Sequence, residues 1–190
     1  MTTLSKIRDI FYSGTYAFNG DGALAGEIAF LLDNGYLHMT SFVVIDKQTY
    51  LRKAEEVGTK TAPHDISAGG GNTHIALKLI TAEFLERERG QKMQFEQPLC
   101  GYYPDVVSAD RTLVAECGHT QNPDKMLAYF RQGGVLECLQ VPYPNEEDTS
   151  VMGYSFRPQI GFSDFMQTLD RQRHLSILDI VNKRDKNRGL

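Results

Sequence analysis

Apolar and polar positions along the chain follow two different periods, which predicts an α/β protein. Residues 73–89 show the period of a helix, because their apolar side chains fall in one broad arc at about 100° per residue. Short apolar runs at 93–97, 102–107, 113–118 and 135–141 predict strands. A second helix is predicted to begin at Asn122 and Pro123, residues suited to a helix N-terminus. Between 73 and 144 the predicted order is helix, three strands, helix, strand.

The first 60 residues are predicted to form a helical N-terminal extension. Residues 23–33 carry an apolar stripe and are followed by Asn34 and Gly35, which favour a helix end. Residues 47–57 carry a second helical pattern, whereas 42–45 is too short to assign. Two short helices of this kind are compatible with a helix-turn-helix module or with a plain helical cap.

Residues 61–72 are predicted to be a linker, because Gly69, Gly70 and Gly71 favour a flexible segment. A glycine run before a helix can also cradle a phosphate, but this one lacks the Gly-Lys-Ser/Thr ending of a nucleotide-binding loop.

The last segment, 145–190, is predicted to contain a basic helix. Residues 171–190 carry six Lys or Arg and two acids, so their net charge is +4. Because the net charge of the whole sequence is −4, residues 1–170 carry −8. A polyanion partner and a solvated terminal helix both explain that asymmetry.

Composition narrows the class of protein further. At 190 residues and 41% hydrophobic, the chain is expected to bury one good core. No apolar run approaches the roughly 20 residues that cross a bilayer, and the N-terminus lacks a secretory apolar segment, so we expect a cytoplasmic protein without a membrane partner. Cys100, Cys117 and Cys138 lack metal-ligand spacing, which favours buried free thiols in a reducing compartment.

Two predicted strands each carry one acidic residue, Asp105 and Glu116, and are joined by a polar turn at 108–111. If the turn holds an even number of residues, Tyr103 lies opposite Glu116 and Asp105 lies opposite Val114. The two carboxylates then project from one face as diagonal neighbours, close enough to share a divalent cation. A turn of three residues would instead put them on opposite faces.

The helix at 73–89 carries three further polar side chains of interest. Glu83 falls inside the apolar arc, where a carboxylate is costly unless it is paired or bound to a metal. His74 and Lys78 lie one turn apart on the opposite, polar side of the helix.

This order of elements, with Glu83 in the helix and Asp105 and Glu116 on successive strands, resembles the restriction-endonuclease-like core of the PD-(D/E)XK nuclease superfamily. The resemblance covers about 73–144. It implies that Asp105, Glu116 and the carbonyl of Cys117 hold Mg²⁺ or Mn²⁺, with Glu83 completing the site directly or through water. The metal would lower the pKa of a bound water and stabilise the charge that develops on phosphate.

The helix containing His74 and Lys78, the strand at 103–106 and Glu116 also resemble nucleases linked to bacterial competence, which pair a His/Lys helix with an Asp-Val strand. That resemblance implies that His74 and Lys78 contact DNA phosphate or the metal-bound water.

The chain departs from the family at its third motif, Glu-x-Lys, which here reads Glu116-Cys117-Gly118. The lysine of that motif normally helps to activate the attacking water. Lys125, in the first turn of the next predicted helix, is one candidate to replace it, and Gly118 would leave room for its side chain. Lys78 is the other candidate. If neither lysine reaches the water, the chain is expected to bind rather than cut.

Further candidate contacts to nucleic acid lie outside this core pattern. His119 is a candidate phosphate contact or proton-transfer group, with a plain surface-loop histidine as the alternative. The basic tail contributes the candidates Arg171, Arg173, Lys183 and Arg184.

The expected function is a metal-dependent deoxyribonuclease. The alternative is a catalytically inactive nuclease-fold protein that binds nucleic acid or a protein partner, as a phage, plasmid or transcriptional accessory factor does. A homodimer is compatible with either function.

Overall fold

The computed structural model describes residues 2–12, 22–59, 71–118 and 124–187, with the backbone alone at 12, 22–24, 59 and 175–187. It forms one mixed sheet with helices on both faces, which confirms the expected α/β class. The helices are α1 (Thr3–Tyr12), α2 (Gly22–Asp33), α3 (Lys47–Thr59), α4 (Asn72–Arg89), α5 (Asp124–Gln132) and α6 (Phe162–Asn187). The strands are β1 (Leu37–Asp46), β2 (Met93–Phe95), β3 (Val106–Ser108), β4 (Leu113–Cys117), β5 (Glu137–Val141) and β6 (Ser150–Pro158).

The six strands lie in the order β1-β6-β5-β4-β3-β2. β4 and β5 are parallel, and the other neighbours are antiparallel. A parallel pair needs a crossover connection, and α5 lies in the stretch of chain that joins β4 to β5. The predicted order of helix, three strands, helix and strand between 73 and 144 is therefore confirmed.

Alternate residues of each central strand face opposite sides of the sheet, so the strands supply two separate cores. On β4, Val114 packs in the core that includes α1, α2 and α5, whereas Leu113 and Ala115 pack in the core that includes α3 and α4. All five residues of β4 and of β5 are buried, as expected for strands covered on both faces.

The predicted helical N-terminal extension over 1–60 also contains a strand, β1, which pairs along its length with β6, so its description as helical is wrong for 37–46. The helices at 23–33 and 47–57 are present as α2 and α3, but a ten-residue strand separates them and excludes the tight connection of a helix-turn-helix. Residues 42–45, too short to assign from the pattern, belong to this strand. Of the predicted linker at 61–72, residues 61–70 lie outside the described part of the chain, and α4 begins at Asn72.

The C-terminal segment contains the predicted helix, α6, but also the strand β6, which was not predicted. Among the described residues, no helix combines the length and apolarity that a bilayer span requires. Cys117 and Cys138 are buried and Cys100 is half-buried, and all three are free thiols.

The C-terminal end of α4 is tied to the sheet by a buried carboxylate. Glu137 of β5 accepts hydrogen bonds from Arg89 at 2.9 Å, from Arg157 at 3.0 Å and from the Ser155 hydroxyl at 2.6 Å. Burial raises the pKa of Glu137, but the hydrogen bonds from Ser155 and Arg157 and the charge of Arg89 outweigh burial and lower it. Because Arg89 is the last residue of α4, this cluster helps to fix the helix on the sheet.

We expect Glu137→Gln to lower the free energy of unfolding by about 2 kcal/mol at neutral pH, because the amide turns a donor toward two guanidinium groups. The pKa of Glu137 is lowered by folding, so its contribution is present above the unfolded pKa and is lost as the pH falls through the folded pKa. Urea denaturation should therefore show a gap between variant and wild type that narrows in acid.

Glu88→Gln is the matched control for this experiment, because Glu88 is exposed and contacts the neighbouring Arg87. It should change the stability by about 0.5 kcal/mol or less. An equal loss in both variants would contradict the assigned role of Glu137.

Candidate active site

The pairing of β3 with β4 fixes where the two predicted acids meet. Val106 lies opposite Ala115 and Val107 opposite Val114, so a four-residue turn, 109–112, joins the strands. The turn is even, which is one of the two cases that the sequence left open, but the register differs by two residues from the pairing of Asp105 with Val114 expected for that case. Continued by one residue, the observed register brings Asp105 directly opposite Glu116.

The two carboxylates nevertheless turn to opposite faces of the sheet, so the expectation of a shared face is wrong. Asp105 precedes the first residue of β3 and contacts side chains of α4, whereas Glu116 contacts side chains of α5. The amide of Cys117 donates to Asp105 Oδ2 at 2.7 Å and holds that carboxylate beside the strand end. Asp105 is thus freed from the alternation that governs residues inside the ladder.

On the α4 side, four ionisable side chains form a cluster, which we call the α4 cluster: His74, Lys78, Glu96 and Asp105. His74 Nε2 and Lys78 Nζ each lie 3.2 Å from Asp105 Oδ1, and Lys78 Nζ also contacts Glu96 Oε1. The Lys78 side chain is 1% exposed. Its expected position on the polar side of the helix is wrong, because the end of the sheet supplies two carboxylates that compensate the buried ammonium.

Charges within the α4 cluster stabilise one another. Burial raises the pKa of Asp105, but the hydrogen bonds from His74 and from the Cys117 amide, with the charges of His74 and Lys78, lower it overall. Burial lowers the pKa of Lys78, but Glu96 and Asp105 outweigh that effect and raise it. Lys78 and Asp105 are both charged at neutral pH, and the buried pair is a typical feature of a functional site.

On the α5 side, Glu116 accepts a hydrogen bond from Tyr129 at 2.6 Å and pairs with Lys125 at 3.3 Å. Glu116 is 4% exposed. Burial raises its pKa, and the charge of Asp105 adds to that effect, while Lys125 and Tyr129 oppose it. The structure thus brings Lys125 to Glu116, while Tyr129 was missed because its sequence position reads as an ordinary apolar residue of the helix.

Glu83 does not lie in the apolar arc as predicted. Its side chain is 62% exposed and pairs with Lys53 of α3 at 2.8 Å. The carboxylate that the structure brings to the site is Glu96, directly after β2, which sequence analysis missed. A single Glu behind a three-residue strand carries no pattern, and neither its backbone φ of 51° nor its contact with Lys78 is readable from the sequence.

The residues of the altered third motif serve the packing of the site. The Cys117 thiol is buried against Thr81. Gly118 has a φ of +80°, and a Cβ at this position would lie 2.7 Å from the ring of Tyr143. The space at Gly118 is therefore occupied by Tyr143 and does not serve Lys125 as expected.

The predicted nucleic-acid contacts are only partly within the described residues. His119 lies outside them. Arg171 is exposed on α6, and Arg173 pairs with Glu27 of α2 at 2.7 Å. Lys183 and Arg184 lie in α6, where the backbone alone is described.

The ligand set that the nuclease resemblance implies for Mg²⁺ or Mn²⁺ is not assembled here. Asp105 and Glu116 point to opposite faces, and each is paired with a lysine, Lys78 and Lys125 respectively. In the described part of the chain, no group of three or more His, Cys, Asp or Glu side chains is spaced to hold a metal ion. The residues therefore do not fit a cation held jointly by Asp105, Glu116 and Cys117.

We expect Gly118→Ala to lower the free energy of unfolding by about 3 kcal/mol, because the new methyl group meets both a left-handed backbone and the Tyr143 ring. Gly35→Ala is the matched control: Gly35 has a φ of +72° but nothing within 4 Å of the added Cβ. Gly35→Ala should lower the free energy of unfolding by about 1 kcal/mol, because only the left-handed backbone is unfavourable there. Equal losses in urea denaturation would show that Tyr143 does not fill the space.

We expect Glu116→Gln to raise the melting temperature by a few degrees at neutral and alkaline pH. The raised pKa of Glu116 means that its stabilising contribution is complete below the unfolded pKa and is lost as the pH rises through the folded pKa. Glutamine does not titrate and still accepts from Tyr129. The gain should vanish in acid, and Glu83→Gln, at an exposed pair, should show no such gain. A variant less stable than wild type at alkaline pH would contradict this assignment.

Comparison of the chain with protein-family models, with curated proteins and with solved structures found no significant match.

Proposed function

We propose that this protein hydrolyses phosphodiester bonds of DNA and that the α4 cluster is its active centre. The observation that carries the proposal is the convergence of His74, Lys78 and Asp105 at one end of the sheet, where two basic groups meet one carboxylate oxygen. Buried, mutually stabilised charges at a strand end are typical of catalytic sites.

The fold supports the proposal at a coarser level. The order α4, β2, β3, β4, α5 and β5 is the order of elements in the nuclease resemblance. Glu116 stands near the end of β4, as that resemblance implies, whereas Asp105 precedes the first residue of β3 instead of ending a strand. DNA is accordingly the proposed substrate.

The side chains of the α4 cluster have complementary roles in such a reaction. Asp105 holds His74 through Nε2, which leaves Nδ1 of the imidazole to take a proton from an attacking water. As the new P–O bond forms, the P–O bond to the leaving sugar oxygen breaks, and solvent protonates that oxygen. The ammonium of Lys78 offsets the negative charge that develops on the phosphate. When the substrate draws the Lys78 ammonium away from Asp105, Glu96 remains beside that ammonium as its counter-ion. These steps use the chain's own residues, because Asp105 and Glu116 do not converge on a shared cation.

Glu116 and Lys125 act beside this centre rather than in it. Lys125 is the more exposed partner of the pair, while Glu116 is buried between Lys125 and Tyr129. The pair holds the first turn of α5 against the end of β4. Lys125 therefore positions α5, and Lys78 is the lysine that acts at the proposed centre.

A second candidate function is binding of DNA without hydrolysis. It is favoured by two observations, of which the first is that Tyr143 fills the space beside Gly118, where the family carries its catalytic lysine. Each of the two acids is also neutralised by an internal lysine.

We expect purified full-length protein to cleave linear, circular or single-stranded DNA in buffer containing Mg²⁺ or Mn²⁺. Asp105→Asn and His74→Gln should each lower the rate by on the order of 100-fold, because they remove the proton acceptor or its orienting partner. Glu83→Gln, at an exposed acid on the same helix, should cleave like wild type.

The variants also distinguish the α4 cluster from the site around Glu116. Loss of cleavage in Asp105→Asn with retention in Glu116→Gln supports the α4 cluster, whereas equal loss in both supports a centre shared by the two strands. Folded protein that binds DNA in a gel-shift assay but cleaves none would favour the second candidate. A folded protein that neither binds DNA nor cleaves it would overturn both candidate functions.

A further inference from the structure

The last helix carries an apolar sequence where it leaves the body of the protein. α6 has 26 residues, which gives it a length of about 39 Å, and residues 171–174 are exposed. The next seven residues, 175–181, read Leu-Ser-Ile-Leu-Asp-Ile-Val, and five of them are apolar. A short helix is marginal in water unless an apolar face is covered. The distal part of α6, residues 175–187, is therefore expected to pack against another surface.

A groove between α2 and α6 offers an apolar surface of the required kind. The groove has a volume of about 330 Å³ and is lined by Glu27, Phe30, Phe165, Leu169 and Arg173. Phe30 is 48% exposed, although its ring stacks on Phe165 with the ring centres 5.6 Å apart. A large exposed ring at the edge of a groove is typical of an interaction surface.

The α2–α6 groove also carries a carboxylate that is only partly satisfied. Glu27 Oε2 accepts a hydrogen bond from Arg173 at 2.7 Å, whereas Oε1 is buried and has no hydrogen-bond partner among the described residues. A buried carboxylate oxygen without a donor is costly, so the groove favours an occupant with positive charge. Residues 182–190 supply that charge, because they contain four Lys or Arg and one acid.

The period of α6 matches its distal part to the groove of a second copy. At about 100° per residue, positions 169, 173, 177 and 180 fall within an arc of about 80° on one side of the helix. A continuous helix cannot fold back onto a groove that it lines itself. If two α6 helices cross antiparallel with position 173 at the centre, position 177 of each copy lies beside position 169 of the other. The same contact is then made twice, as in a closed symmetric dimer.

We propose that α2 and α6 form a homodimer interface in which the distal part of α6 of each copy occupies the α2–α6 groove of the other. The apolar sequence at 175–181 covers Phe30 and Leu169, and the basic residues that follow bring positive charge toward Glu27. A second copy is favoured over an unrelated partner because one closed contact covers the groove and the distal helix of both chains. The interface does not depend on the proposed hydrolysis.

The test is the molar mass of the full chain, measured by sedimentation velocity at protein concentrations from about 1 µM to about 100 µM. We expect wild type to form a dimer in this range. Phe30→Glu puts a second negative charge at the groove and should raise the dimer Kd by on the order of 100-fold. Leu51→Glu is the matched control, because Leu51 is 45% exposed on α3, which packs in the other core of the protein. It should dimerise like wild type.

A second variant tests the occupant of the groove. Ile177→Glu changes the distal part of α6, leaves the residues that line the groove intact, and should raise the dimer Kd by a similar factor. Circular dichroism melts check that each variant is folded. If Phe30→Glu does not fold, Ile177→Glu decides, since position 177 lies beyond the last residue of α6 that lines the groove.

Mixing the two variants distinguishes this reciprocal contact from other dimers. A pair made of one Phe30→Glu copy and one Ile177→Glu copy keeps one intact groove that faces one intact α6. The equimolar mixture should therefore dimerise at concentrations at which each variant alone is monomeric. A mixture that stays monomeric would contradict the exchange of α6 between copies.

Three further outcomes overturn the inference. A folded wild type that is monomeric at about 100 µM would leave the groove to a different partner. A dimer that persists unchanged in Phe30→Glu would use another surface. Dissociation by Phe30→Glu but not by Ile177→Glu would show that a different segment covers the groove.

Discussion

One buried lysine between two carboxylates is the interaction on which the arrangement of the candidate site depends. Lys78 joins α4 to Asp105 at the start of β3 and to Glu96 at the end of β2. An ion pair removed from water is costly when one partner is missing, so these three residues hold their positions together. At the other end of α4, Arg89 joins the buried Glu137. The helix is therefore held at both ends by charge, with apolar packing between.

The sheet separates two acidic residues, Asp105 and Glu116, that lie close together in the sequence. Asp105 belongs to the face covered by α4, and Glu116 to the face covered by α5. The amide of Cys117 lies between them and is bound to Asp105. This division gives each acid its own lysine, and it gives the two acids opposite shifts in pKa. The lowered pKa marks a carboxylate supported by neighbouring cations, and the raised one marks a carboxylate dominated by burial.

The sequence predicted the central elements well because their signals are local. The helical period of α4 and the apolar runs that contain β3 and β4 could be read directly, whereas the length of the turn between the strands was left open. β1 and β6 were not predicted, because each is stabilised as a strand by pairing with the other, more than 100 residues away. Asp105 was identified by its type and place on a predicted strand, and His74 and Lys78 were identified through the resemblance to competence-linked nucleases. The convergence of these three side chains was not predicted, because it depends on Asp105 lying outside the β3–β4 ladder and on the direction of the Glu96 side chain.

The pairing of β1 with β6 has a consequence for how the chain reaches this structure. Leu37 meets Pro158 and Asp46 meets Ser150, so the edge of the sheet can close only after most of the chain has been synthesised. Contacts of such large sequence separation slow folding, because a long loop must be ordered before the contact stabilises it. Until β6 is available, β1 offers unpaired backbone groups to any other strand. The risk of aggregation for this protein therefore lies in the nascent chain, well before the site can form.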